Sequence, residues 1–173
     1  DSYITYLKNA VDYRLKEGHK EGQKSEYDRF WDAFQKNGNR TDYQYSFGGI
    51  GWTDETFKPK YGFANVSYAY DMFLNFRGTT IPPITFTGNC AEAFYNATKV
   101  ITIERAIFTE TVSTSNLNYV FRNCNALENL TVGGVIKGNN LNVSWSPKLT
   151  HDSLMSIINA LADKSGDTSG TNW

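Results

Sequence analysis

Tyr70-Asp71-Met72-Phe73-Leu74-Asn75-Phe76 is followed by Ala91-Glu92-Ala93-Phe94-Tyr95-Asn96-Ala97 and then by Asn118-Tyr119-Val120-Phe121-Arg122-Asn123-Cys124. Each stretch carries Phe-x-Asn, with a residue that tolerates burial one place further on. The phenylalanines recur after 21 and then 27 residues, a period that belongs to stacked repeat architectures. A unit of this size cannot cover its own apolar face, so each Phe is expected to be buried by the next coil. The asparagine is expected to bond backbone groups between coils or to sit in a surface turn, and both readings fit a short amide two places after a core ring.

Outward from each Phe lies a strand candidate: Ile81 to Phe86, Val100 to Ile103, and Leu127 to Val132. Apolar and polar residues alternate there as in half-buried strands. Gly133-Gly134 and Gly138-Asn139-Asn140 punctuate the next coil, and Leu141 to Trp145 resumes the alternation. Thr150 then caps a helix whose apolar positions are Leu154, Ile157, Ile158 and Leu161. Residues 163–170, rich in Asp, Ser, Thr and Gly, read as a solvated turn. They lack the glutamate of a calcium loop.

Upstream, Ile4, Leu7, Val11 and Leu15 recur at helical spacing between a capping Ser2 and Gly18, and residues 19–24 form a polar connector. Ser25 caps a second helix, closed by Asn37-Gly38, with Tyr27, Phe30, Trp31 and Phe34 as an aromatic packing stripe. Phe47-Gly48-Gly49-Ile50-Gly51-Trp52 has no clear period and no Gly-Lys-Ser/Thr to hold a phosphate. Its Phe47 and Trp52, with Phe57, are expected to fold over the end of the repeat core.

Composition narrows the function classes. The 173 residues suit one domain or a domain with an appendage. Aromatics make up 15% of the chain, enough large rings for a compact core. Seventeen basic and eighteen acidic residues leave a net charge of -1, and without a Lys/Arg run nucleic acid is disfavoured as a partner. There is no apolar stretch of membrane-spanning length, and the first residues do not look like a signal peptide. Cys90 and Cys124 are expected to be buried small hydrophobes rather than a disulfide framework or a zinc site. Asn39, Asn65, Asn96, Asn129 and Asn142 stand in Asn-x-Ser/Thr triplets, read as coincidental in an asparagine-rich chain.

Phe121 to Leu130 closely resembles the BspA-type leucine-rich repeat, whose units run Ala-Phe-x-x-Cys-x-x-Leu-x-x-Ile. Ala93-Phe94 to Ile103 is similar to the same pattern, with Ala97 in the Cys position. Trp145 to Ala162 looks like endings of such proteins in gut Firmicutes and their phages. The resemblance covers about residues 67 to 173 and implies adhesion or partner recognition on a cell or a virion. The chain departs from the family in its small number of irregular units and in the Ile81-Pro82-Pro83-Ile84 interruption. The expected architecture is therefore α+β: a short irregular leucine-rich-repeat solenoid with an N-terminal helical and aromatic cap and a C-terminal helix. Residues 1–62 form the capping region and 63–173 the repeat-like domain.

No catalytic constellation is legible. His151, Asp152 and Ser153 invite a triad reading, but neighbouring helical residues point in different directions. His19 lies in the polar connector, and carboxylates such as Asp54, Glu55 and Glu104 are scattered. The expected function is a non-enzymatic recognition or structural module, without cofactor or metal, binding a protein or glycan at a bacterial surface or on a phage particle. A phage-encoded inhibitor of a host enzyme acting in the infected cell, and a glycan-processing enzyme, are the alternatives. Tyr68, Tyr70, Tyr95 and Tyr119 are the expected partner contacts, because they flank the buried Phe rather than replace it and have amphipathic rings suited to interfaces.

Overall fold

A computed structural model describes residues 4, 5, 8, 26–36, 40–49, 51–137 and 141–162. Ile4, Thr5 and Lys8 are helical. The remainder of the expected first helix, the connector, Ser25, Asn37-Gly38, the glycine turn at 138–140 and the segment 163–170 lie outside the described residues.

The chain winds as a parallel β-solenoid of about three turns, with helices at 26–36 and 151–160 among the described residues. Its elements are α1 (Glu26–Lys36), β1 (Phe63–Tyr68), β2 (Thr80–Ile81), β3 (Ile84–Asn89), β4 (Thr102–Phe108), a short 3-10 turn (Thr114–Leu117), β5 (Asn129–Gly134) and α2 (His151–Ala160). β1 pairs with β3, β3 with β4, and β4 with β5, all in parallel, while β2 also pairs with β4.

Phe73, Phe94 and Phe121 are fully buried and stack ring on ring, at 5.5 Å between the first two and 5.4 Å between the last two. Backbone bonds lock the same register: Phe73 N–H donates to Ala93 O at 2.7 Å and Phe94 N–H to Val120 O at 3.1 Å. The ladder extends one level beyond the expected repeats. Phe47 N–H donates to Met72 O at 2.9 Å, and the Phe47 ring lies 5.4 Å from Phe73. Phe47-Gly48-Gly49 is thus a further rung of the same column rather than an aperiodic loop. At the other end Asn123 N–H donates to Ser144 O, which places Val143 and Trp145 in the Phe and Asn positions.

The strands are shifted from their expected positions for identifiable reasons. Pro82-Pro83 lack amide donors and split the first candidate into β2 and β3. Val100 and Leu127 are buried residues ahead of their strands, so β4 and β5 start two residues later than expected. β1 escapes a two-residue period because its register shifts at Asn65, which has φ 54°, as in a bulge. Leu141 contributes one antiparallel bridge to Asn118 and no strand. Gly134, at φ 80°, passes so close to Phe108 O that an added Cβ would sit 1.9 Å from it.

α1 presents Phe30, Trp31 and Phe34 to the first rungs. Trp31 lies 5.6 Å from Phe47 and 5.1 Å from Phe57, and its indole N–H donates to Thr56 O at 2.9 Å. Phe57 in turn meets Phe73 and Phe76, at 5.6 and 5.0 Å. The rings on both sides of residue 62 therefore belong to one core.

α2 starts at the expected cap, where Thr150 Oγ1 accepts from Ser153 N–H. Its inner face differs from the expected one. Leu154, Ile158 and Leu161 are 43, 54 and 40% exposed, whereas Ser153 and Ala160 are buried and Ile157 packs against the core. The reason is the open edge of β5, whose backbone groups need partners. Ser153 Oγ accepts from Leu130 N–H and donates to Glu128 O, both at 2.9 Å, and Ser156 Oγ treats Val132 N–H and Leu130 O in the same way. Two hydroxyls continue the ladder where the strands stop.

Candidate functional site

The segments that carry the stacked phenylalanines, Tyr45 to Gly49, Asp71 to Asn75, Glu92 to Asn96 and Tyr119 to Asn123, lie in register along one edge of the solenoid. Each takes a left-handed backbone at two positions, two residues before the Phe and two after. The later position holds Gly49, Asn75, Asn96 and Asn123, with φ from 57° to 83°; Gly and Asn are the residues that adopt this region at least strain. Two of its amide links are made: Asn123 Nδ2 donates to Asn96 Oδ1, and Asn96 Nδ2 to Asn75 Oδ1. Asn75 is exposed, and Asn96 and Asn123 are half-buried. The ladder ends at Gly49, which has no side chain. There a groove of about 630 Å³ opens, lined by Asn75, Asn96, Thr53, Thr98, Arg77 and Lys99 among others.

The earlier left-handed position is less orthodox. It holds Tyr45, Asp71, Glu92 and Tyr119, at φ 54°, 55°, 57° and 55°, all residues with a Cβ that disfavours this conformation. Two carboxylates therefore sit on successive turns between two tyrosines. Asp71 is 6% exposed, and its buried Oδ1 has no hydrogen-bond partner among the described residues. Loss of water around the carboxyl, reinforced by the negative charge of Glu92, raises its pKa from 3.8 to about 6. Glu92 and then Asp71 also hold the Tyr70 hydroxyl above its usual 10.0, with smaller contributions from burial and from Tyr45 and Tyr68.

The four expected contact tyrosines fall into two groups on this edge. Tyr68 is half-buried at the end of β1, and its carbonyl accepts from Tyr43 N–H at 2.7 Å. Tyr70, also half-buried, meets the exposed Tyr45 ring edge-on at 5.9 Å. Tyr95 is half-buried and Tyr119 is 42% exposed. Arg122 joins these last two, its guanidinium lying 5.9 Å from the Tyr95 ring and 4.6 Å from that of Tyr119, within reach of a cation–π attraction. Sequence reasoning missed Tyr45, Arg122, Asp71 and Glu92. The signal for the acids was present, since both stand two places before a repeat Phe.

The other chemistry-bearing residues have structural partners. Asp54 clasps Thr79, accepting from its amide at 2.6 Å and its hydroxyl at 2.9 Å. His151 meets Asp152 at the surface, 3.3 Å apart, while the Ser153 hydroxyl is committed to Thr150 and β5, so no triad assembles from these three. Cys90 and Cys124 are buried free thiols that donate to Asn116 O and Phe94 O. Burial raises both thiol pKa values, that of Cys124 to about 12, leaving them inert as nucleophiles. Among the described residues, no group of three or more His, Cys, Asp or Glu side chains could hold a metal ion, and no helix is long and apolar enough to cross a membrane. Comparison with family models, with curated proteins and with solved structures finds no match for this chain.

Proposed function

We propose that this chain is a recognition module of the BspA-like leucine-rich-repeat kind, without catalytic activity, which engages a protein or glycan partner along its tyrosine edge. The observation that carries this reading is Arg122, held over the rings of Tyr95 and Tyr119 at the surface. Tyrosine and arginine are the side chains enriched at interface centres: both offer large, flat area, and both combine apolar contact with hydrogen bonding. Their backbone is set by the Phe stack and amide ladder, so little ordering is left to do on binding. Tyr45 and Tyr70 extend the same surface toward the first rung. A bacterial surface or a phage particle is the setting we propose.

The test compares the chain with its Tyr95→Ala, Tyr119→Ala, Arg122→Ala triple variant on a glycan array and against cross-linked bacterial lysate. A ligand held by the parent and lost by the triple variant supports the reading. A ligand held equally by both places recognition elsewhere.

A further inference from the structure

Asp71 and Glu92 present a feature that the fold does not need. Their two carboxylates lie on adjacent turns within electrostatic range of one another, and among the described residues no salt bridge engages either. Asp71 is more than nine-tenths buried, with an unpartnered oxygen. A buried acceptor without a donor is destabilising, and a second acid beside it adds repulsion. Tyr70 lies within electrostatic range of both acids and meets the Tyr45 ring edge-on at 5.9 Å.

We propose that the Asp71–Glu92 pair is a binding site for an organic cation, the ammonium or guanidinium group of a basic side chain on a protein partner. This rests on the recognition reading above and adds the partner's chemistry. Such a group supplies hydrogen-bond donors to Asp71, offsets the repulsion from Glu92, and is attracted to tyrosine ring faces. A hard metal ion fits less well. Calcium takes about six to eight oxygen ligands, whereas among the described residues no third acidic side chain joins the two carboxylates.

The probes are the peptides acetyl-Gly-Lys-Gly-amide and acetyl-Gly-Arg-Gly-amide, with acetyl-Gly-Gln-Gly-amide as the neutral control and calcium chloride as the metal control. Binding is followed through the side-chain carboxyl resonances of Asp71 and Glu92. Saturable shifts with the Lys or Arg peptide, small effects with the Gln peptide, and affinity about ten- to a hundredfold weaker in Asp71→Asn are expected. Glu92→Gln, which removes the second charge but not the buried one, is expected to weaken binding less. Equal shifts with the Gln peptide, no shift with any peptide, or displacement of the peptide by calcium would overturn the proposal. The two readings separate: loss of partner binding in the Tyr95/Tyr119/Arg122 variant, with Asp71 resonances of the parent chain silent to every peptide, keeps the recognition edge and removes the cation site, whereas partner binding unaltered in that variant removes the edge.

Discussion

Asp71 and Glu92 occupy the same place on successive turns, each two residues before a stacked Phe and each in a left-handed backbone conformation. The ordering of the Phe column thus brings two like charges together, with Asp71 nearly closed off from water. A stack built only for stability would not place acids there. The same register puts Arg122 over Tyr95 and Tyr119, so one framework positions every side chain of the proposed edge.

The Phe stack is the first target. Phe121 is fully buried and nearly parallel to Phe94, at 4° between rings. Phe121→Ala is expected to destabilise the chain by about 3–5 kcal/mol in urea titrations, since the cavity adds to the lost burial. A loss below about 1 kcal/mol would mean that the column does not hold the turns together.

At Gly49 the backbone has φ 83° and an added Cβ meets nothing within 4 Å. Gly49→Asn is expected to extend the amide ladder by one member, because Asn tolerates this conformation and can bond to Asn75. The thermal midpoint should hold or rise, by the equivalent of up to about 1 kcal/mol. Gly49→Val should lower it, since a β-branched residue is strained there.

Ser153 satisfies both Leu130 N–H and Glu128 O. Ser153→Ala strands the buried Leu130 N–H, while Glu128 O keeps the Thr150 amide, and is expected to cost about 1–3 kcal/mol. Hydrogen exchange should then report the Leu130 amide among the most accelerated sites in β5. An unchanged Leu130 rate would show that α2 does not close that strand edge.

Tyr119 is 42% exposed and meets Arg122 rather than the core. Tyr119→Ala is therefore expected to change stability by less than about 1 kcal/mol, the scale of an exposed cation–π pair, while weakening partner binding. A large fall in the melting midpoint would identify the ring as a structural strut instead.

What was legible in the sequence follows the physics of each element. Phe73, Phe94 and Phe121 announced themselves because a stack must repeat its ring. Phe47 did not, because Gly49 replaces Asn in its triplet; the shared requirement is a positive φ, which both residues meet. β1 was missed because the bulge at Asn65 interrupts alternation, and β4 shows a similar shift between Ile103 and Ala106. The inner face of α2 was misassigned because it must satisfy the edge of β5 as well as cover it, a task for serine rather than leucine. Of the candidate edge, the tyrosines could be picked out as flanking residues. Their grouping around Arg122, and the meeting of Asp71 with Glu92, depended on the unequal coil lengths that set which residues lie level.

The pH dependence of stability in the parent chain and in Asp71→Asn tests the central claim most directly. Asp71 carries a folded-state pKa of about 6 against an ordinary 3.8, with Glu92 and Tyr70 as its ionisable neighbours on this edge. The folded chain therefore holds this proton more tightly than the unfolded one. The contribution of Asp71 to stability is least unfavourable below about pH 4, declines as the pH rises toward about 6, and stays low above it. Urea titrations at pH 4 and pH 8 are expected to show Asp71→Asn close to the parent at the lower pH and more stable at the higher, by on the order of 1–2 kcal/mol after solvent screening. An Asn variant that is less stable than the parent at pH 8, or displaced equally at both pH values, would contradict the account, because the carboxylate would then be a structural support rather than an unpaired charge awaiting a partner.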